Sequence, residues 1–406
     1  MNERLKIYNG RVLTPNRIIP NGTVVMMGEK IREVSEGNID LPAATEIDAQ
    51  GNYISPGFID LHVHGGGGHD FMDGTVNAFL EIAKMHARYG TTSMLPTTLT
   101  SGKQRLLQVL TSFEKANEQN RAGAQFLGMH IEGPYIAMNQ KGAQDPRFIR
   151  DPDRKEYEEI VSGSGNTIKR WSAAPELKGA LDFGRYLKSK DILPSIAHTD
   201  AKYKEVVEAF ESGYTHLTHF YSAMSGVTRV GCSRYAGVIE SGYLIDEMTV
   251  EIIADGVHLP EPLLKLVYKV KGAERTALIT DAIRATGTSA RETILGDLEN
   301  GMRVIVEDDV AKLPDRSSFA GSVATADRLI RTMINLANLP LPDAIRMITS
   351  TPAVIIGVDD KKGSLAPGKD ADVVIFDDDI TIQTTIIKGK VVYNRNESSA
   401  GIAKTN

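Results

Sequence analysis

The chain is poor in cysteine: only Cys232 occurs among 406 residues, so no intramolecular disulfide can form and a reducing, cytoplasmic setting is expected. It also lacks a basic excess. A formal net charge of −6 leaves no general footprint for nucleic acid or an anionic membrane, both of which are held by clustered positive charge. Neither partner is expected, and an anionic substrate would need local basic residues. Long apolar runs are missing as well. No window approaches the length that crosses a bilayer, and the opening MNERLKIYNGRVLTP has no uninterrupted apolar stretch of the kind a secretory signal carries. What remains is an ordinary globular composition, 41% hydrophobic and 24% charged, in a chain long enough for one large domain and a smaller one.

Both ends read as β-structure. Runs at 5–8 and 23–27 are punctuated by Asn9-Gly10, Asn21-Gly22 and Gly28-Glu29, which are tight-turn signals because Asn and Gly tolerate positive φ. Runs at 371–376, 382–387 and 390–393, with Gly389 placed for a turn, look alike. Neither end buries much alone, so residues 1–54 and 358–406 are expected to pack together as a small β-sandwich domain, the last dozen residues forming a frayed tail.

Between residues 55 and 357 short apolar runs alternate with helix-like stretches such as 76–89 and 202–211. The runs fall at 57–64, 92–97, 125–132, 168–173, 192–198, 215–219, 249–255 and 277–281. Eight such units point to an α/β fold of the TIM-type (β/α)8 barrel, although a doubly wound sheet shows the same alternation. Histidines and carboxylates recur where the apolar runs end, and barrel enzymes build their sites from the C-terminal ends of several strands.

In Asp60-Leu61-His62-Val63-His64 the strand period of two puts both imidazoles, and Asp60, on one face, where the histidines can approach one cation. Gly65 to Gly68 would let a substrate come close to the backbone. Glu132 ends an apolar run ahead of Gly133-Pro134; buried, it would need a cation or another partner, and otherwise it turns out to solvent. His198 and His219 close two further runs. His216 differs from His219 in strand parity and is expected to pack behind its strand. Asp281 ends the run Ala277-Leu278-Ile279-Thr280, and a carboxylate beside a metal can carry a proton from water to a leaving amine.

The ordered segments PGFIDLHVHG, HIEGPY, KGAQ, AHTD, THFYSAM, IADGVH, TDAIRATG, FAGS and GKDADVVI resemble the N-acetylglucosamine-6-phosphate deacetylase family of the amidohydrolase superfamily, over residues 53 to 376. The resemblance implies metal-dependent hydrolysis of the N-acetyl group of N-acetylglucosamine 6-phosphate to glucosamine 6-phosphate and acetate. It implies that Glu132, His198 and His219 hold a principal divalent metal, zinc or iron, and that His62 and His64 with Asp281 serve a second, so that one or two ions are bound per chain. Asp281 is the implied catalytic proton carrier. Ala143, Gln144, Ser222, Ala223, His258, Phe319, Ala320 and Gly321 match substrate-contacting positions. Gln144 stands where many members have histidine and Ser222 where many have asparagine. The phosphate arginine has no clean counterpart: Arg234 is the preferred candidate, with Arg229 and Arg284 as others. A homodimer is implied too.

Close alternatives are an N-acetylgalactosamine-6-phosphate deacetylase or a D-aminoacylase-like enzyme. Cyclic-amide hydrolases of the superfamily bridge two metals with a strand-end lysine, whereas Lys169 lies at the start of its run and Glu132 is available instead. A metal-free barrel scaffold should have lost ligands that this chain keeps.

Overall fold

The computed structural model describes residues 4–397. Its centre is a set of parallel strands: β1 (Phe58–Val63), β2 (Thr91–Pro96), β3 (Met129–Glu132), β4 (Ile168–Ala173), β5 (Leu193–Ile196), β6 (His216–Leu217), β7 (Thr249–Ile253) and β8 (Thr276–Ile279). β1 pairs with β2, and β3 to β8 pair successively, all in parallel. Isolated parallel bridges join Thr97 to His130 and Val63 to Ala282, at the ends of the two ladders. Every residue of β1 and β2 is buried, the polar Asp60, His62, Thr91, Thr92 and Ser93 included, because a parallel strand is covered on both faces.

Helices follow the strands: α1 (Val76–Ala87), α2 (Lys103–Gln119), α3 (Arg154–Gly163), α4 (Ala180–Ser189), α5 (Tyr203–Glu211), α6 (Val238–Leu244), α7 (Glu261–Lys271) and α8 (Ala326–Asn335). α1 starts where the Thr75 hydroxyl accepts from the Ala78 amide, and it buries Phe79, Ile82, Ala83 and His86, spaced three and four apart. That stripe joins Phe113 of α2 and Phe126 in the main core cluster. Four antiparallel strands, Glu292–Leu295, Met302–Glu307, Val310–Lys312 and Phe319–Ser322, are inserted between β8 and α8.

The two ends of the chain share one eight-stranded ladder, in which Val373–Phe376 pairs antiparallel with Tyr53–Pro56. It has its own core, including Ile7, Val12, Val24, Ile54, Val373 and Ile386. This differs from two packed half-sheets, and the N-terminal part is mixed, because Arg4–Leu13 also pairs in parallel with Thr45–Asp48 and Tyr53–Pro56. Gly28-Glu29 and Lys388-Gly389 are turns as expected. Asn9-Gly10 and Asn21-Gly22 are not. Asn9 (φ 57°) and Asn21 (φ 48°) do adopt the left-handed conformation, but inside strands, where Gly10 pairs with Gly22 beside register shifts. Of the expected tail, residues 398–406 lie outside the described residues. No helix among the described residues is long and apolar enough to cross a membrane.

Candidate metal centre and catalytic pocket

Four imidazoles converge on the carboxylate of Glu132. Its Oε1 lies 3.0 Å from His219 Nε2, 3.3 Å from His198 Nε2 and 3.5 Å from His62 Nε2, and its Oε2 lies 3.4 Å from His64 Nε2. The Nε2 atoms also face each other in pairs, His62 with His64 at 3.1 Å and His198 with His219 at 3.2 Å. Asp281 Oδ1 closes the group at 3.2 Å from His64 Nε2 and 3.4 Å from His62 Nε2. All six side chains are buried.

The strand ends explain this convergence. Glu132 is the last residue of β3, whereas His198, His219 and Asp281 lie just past β5, β6 and β8 with left-handed backbones, φ 47°, 28° and 48°. Non-glycine residues rarely adopt that conformation, and such strain gathers at functional sites. It also voids the parity argument for the sixth strand, which stops at Leu217. His216 points inward, not behind: its Nδ1 is 2.7 Å from Thr249 Oγ1 and its Nε2 3.2 Å from Glu251 Oε2.

The donor set fits a cation. The His198 Nδ1–H donates to the Gln140 carbonyl at 2.8 Å and the His62 Nδ1–H to Glu251 at 2.9 Å, so in the neutral rings both lone pairs sit on Nε2 and point into the cluster. Two groups of three, His62 with His64 and Glu132, and Glu132 with His198 and His219, have ligand atoms close enough to hold an ion. Burial alone would lower the His62 and His64 pKa values, but facing Glu132 and Asp281 raises them to about 9 and about 10. Burial pushes the Glu132 and Asp281 carboxyls up, and the surrounding imidazoles outweigh it, holding both below their usual values. The cluster thus demands positive charge, which a divalent ion supplies.

Sequence reasoning missed Glu251. On β7, it accepts from both terminal nitrogens of Arg170, from His62, and through Oε1 from the His219 backbone amide at 3.1 Å. One buried carboxylate therefore orients two candidate ligands. Asp60 does share the inward face with His62, but it accepts from Thr280 Oγ1 at 2.6 Å and stays outside the cluster.

A pocket of about 160 Å³ opens over Glu132, His198, His219 and Asp281, and Ala143, Gln144, Ser222, Ala223, His258, Phe319 and Gly321 line it. Ala320 is wholly buried and does not. His258 is oriented by Asp255, which accepts from its Nδ1 at 2.8 Å, and its ring lies 4.6 Å from that of Phe319. Gln144 is less free than a substrate contact would be: its amide donates to Glu132 Oε2 at 2.6 Å and its oxygen accepts from the Thr100 amide at 2.8 Å.

The arginines do not gather here. Arg234 and Arg229 project from an exposed hairpin, Thr228–Val230 with Ser233–Tyr235, and do not line the pocket of their own chain. Arg284 is consumed by Asp73, paired through both terminal nitrogens, and by the carbonyls of Gly68, Ile294 and Gly296. Gly65 and Gly66 do not admit a substrate either. A Cβ on Gly65 would lie 2.3 Å from the His69 carbonyl oxygen, and one on Gly66 2.1 Å from Met85, so these two glycines let protein pack on protein, whereas Gly68 has nothing within 4 Å of an added Cβ.

The amidohydrolase family profile matches residues 53–392. N-acetylglucosamine-6-phosphate deacetylase of Bacillus subtilis (strain 168) is 33% identical over 402 residues, covering 98% of this chain and 99% of that protein. N-acetylgalactosamine-6-phosphate deacetylase of Escherichia coli O157:H7 is 33% identical over 350 residues, 86% of this chain and 89% of that protein. Among solved structures, a mutant N-acetyl-D-glucosamine-6-phosphate deacetylase from Mycobacterium smegmatis, in complex with N-acetyl-D-glucosamine-6-phosphate, superposes with a TM-score of 0.87 at 28% identity, covering 97% of this chain and 100% of that one.

Proposed function

The chain belongs to the amidohydrolase family, among the N-acetylglucosamine-6-phosphate deacetylases, and from that premise we propose that it hydrolyses N-acetylglucosamine 6-phosphate to glucosamine 6-phosphate and acetate. The observation that carries the reading is the convergence of His62, His64, Glu132, His198, His219 and Asp281 beneath one pocket. Its fold, like theirs, is TIM-barrel-like with an additional domain.

Glu132, His198 and His219 would hold the principal ion, and His62 and His64, with Glu132 within reach of both groups, would serve a second together with Asp281. A divalent cation held there, zinc or iron, would lower the pKa of water from 15.7 toward about 7 and polarise an amide carbonyl. Asp281, an ionised carboxylate at the pocket floor, takes the proton from the attacking water and passes it to the sugar nitrogen as the amide bond breaks. His258, locked by Asp255, and the Ser222-Ala223 segment orient the sugar. Gln144 steadies Glu132.

The equal identity to the Escherichia coli galactosamine enzyme supports a second reading in which the epimeric sugar is accepted. The test is acetate release from N-acetylglucosamine and N-acetylgalactosamine, each with and without the 6-phosphate, after metal add-back. Turnover confined to phosphorylated sugars is expected. Equal efficiency without phosphate would refute the phosphosugar reading, and no release from any of them the hydrolase itself.

The same reading takes β1 to β8 as one closed (β/α)8 barrel over residues 55–357, supported by the two bridges between its ladders, and residues 1–54 with 358–406 as the smaller domain, supported by their separate core. A homodimer is supported by exposed Val227, Val230 and Tyr235 around the hairpin, and a cytoplasmic location by the lone, exposed Cys232.

A further inference from the structure

In each of the two candidate ion sites one imidazole has its outer nitrogen engaged. His62 is turned by Glu251 and His198 by the Gln140 carbonyl, whereas the buried Nδ1 atoms of His64 and His219 have no hydrogen-bond partner among the described residues. In the triplet Glu132, His198 and His219, His198 is thus the ring whose tautomer a partner sets, and its aim follows the position of Gln140. The turn that carries Gln140 holds it poorly. Met138–Gln140 is a single 3-10 turn with Met138 and Asn139 exposed, and although the Gln140 amide donates to the Ala137 carbonyl at 3.0 Å, the next bond, from the Lys141 amide to the Met138 carbonyl, stretches to 3.4 Å.

Two side chains outside the cluster supply what the turn lacks. Gln140 Nε2 donates to Asp200 Oδ1 at 2.6 Å, and a bond to a carboxylate oxygen is of the stronger, charge-assisted kind. Asp200 stands two residues past His198 and is itself anchored. Its amide donates to Glu176 Oε1 at 2.7 Å, and the hydroxyl of the neighbouring Thr199 donates to Glu176 Oε2 at 2.6 Å. The Ala137 amide donates to the His198 carbonyl at 2.9 Å. Glu176 comes just after β4, so the ends of β4 and β5 and the turn close one ring of bonds around His198. The same segment runs on through Gly142, where an added Cβ would lie 3.7 Å from His198 Cε1, to Gln144, which donates to Glu132 Oε2. Two members of the triplet are therefore held from one stretch of chain, residues 140–144.

We propose that Asp200 and Gln140 are positioning residues, a latch that fixes the Gln140 carbonyl so that His198 presents Nε2 to the principal ion. The inference rests on the metal-dependent reading of the site, but it requires no particular substrate, and neither residue lines the catalytic pocket. The hydrogen bond carries the effect, not the charge of Asp200, since the turn needs only an oxygen acceptor at that place. Both residues are half-buried beside the rim and belong to no strand or α-helix, so shortening either side chain leaves the core packed as it is.

The zinc affinity of the full-length protein, measured by competition against a chelator, tests this in Asp200→Ala, Gln140→Ala and Asp200→Asn. Both alanine variants should bind one zinc ion about 10–100-fold more weakly, the usual worth of an outer partner of a metal-binding histidine, while the Tm of the metal-free protein stays at the parent's value. Asp200→Asn keeps an oxygen acceptor and should bind zinc as the parent does. Acetate release lost by the alanine variants should return at saturating zinc, which removal of a catalytic group would not allow. Parental zinc affinity in both alanine variants would overturn the proposal. So would an Asp200→Asn as weak as Asp200→Ala, because charge and not the bond would then be at work. Gln140→Ala decides the matter if Asp200→Ala folds poorly. A parent that binds zinc, with the expected pattern among the variants, but releases no acetate would sink the deacetylase reading and leave the latch standing.

Discussion

Asp281 is buried yet ionised, because His62 and His64 face it, and its oxygen lies beside the cluster without belonging to either ligand triplet. Asp281→Asn should therefore keep most of its metal, measured by elemental analysis, while acetate release falls by roughly 10²–10⁴-fold, the usual worth of a general acid–base group. Retained turnover would remove Asp281 from that role. Glu251 acts one step behind. Glu251→Asp keeps the charge that Arg170 needs but shortens the reach to His62 and to the His219 amide. A loss of about 10–100-fold in metal affinity is expected, since partners of metal-binding histidines carry that much. Competition against a chelator measures it, and an unchanged affinity would mean that Glu251 serves only Arg170. His62 and His64 were legible because the strand period of two is local. Glu251 was not, because its partners Arg170, His62 and His216 come from β4, β1 and β6.

Strands deliver the candidate ligands, and the breaks after the strands aim them. Gly133 shows how tightly one break is built. Its φ is +75°, an added Cβ would lie 2.2 Å from Thr100 Oγ1, and its carbonyl accepts from Trp171 Nε1 at 2.8 Å. Gly133→Ala should destabilise the fold by about 1–3 kcal/mol through backbone strain alone, and should loosen Glu132 next to it. Differential scanning calorimetry and metal content together check this; a parent-like Tm with full metal would show that the turn can relax. Gly65 and Gly66 illustrate what a motif hides. Their composition announces close approach, but whether ligand or protein makes that approach depends on neighbours distant in the chain. Asn9-Gly10 and Asn21-Gly22 teach the same point: the conformation was legible, whereas its use as a bulge was not.

At the scale of the molecule, acid should unfold this protein through its buried neutral histidines. Burial lowers the His86 pKa to about 4, although its Nε2–H donates to the Gly65 carbonyl at 2.9 Å. His216 falls to about 4 as well, through burial and then Arg170. The unfolded chain binds these protons near pH 6.5 and the folded chain only near pH 4, so between those limits the unfolded state carries more protons and stability falls as pH falls. His86 contributes up to about 3 kcal/mol of that loss. Melting with chelator present should show a Tm that declines from pH 6.5 to 4, with a shallower slope in His86→Gln. Parallel slopes would mean that His86 is not the group titrating.

By itself the sequence determined the alternation of strand and helix, the β-rich ends and the histidines and acids that gather at the candidate site, since all of these follow from periods of two and 3.6 residues and from side-chain chemistry at single positions. Only the tertiary structure decided that the two ends share one ladder, that Arg284 is spent on Asp73 and that Gln144 braces Glu132. Those outcomes depend on which strands become neighbours. Hydrogen bonds between groups tens or hundreds of residues apart leave no periodic trace along the chain.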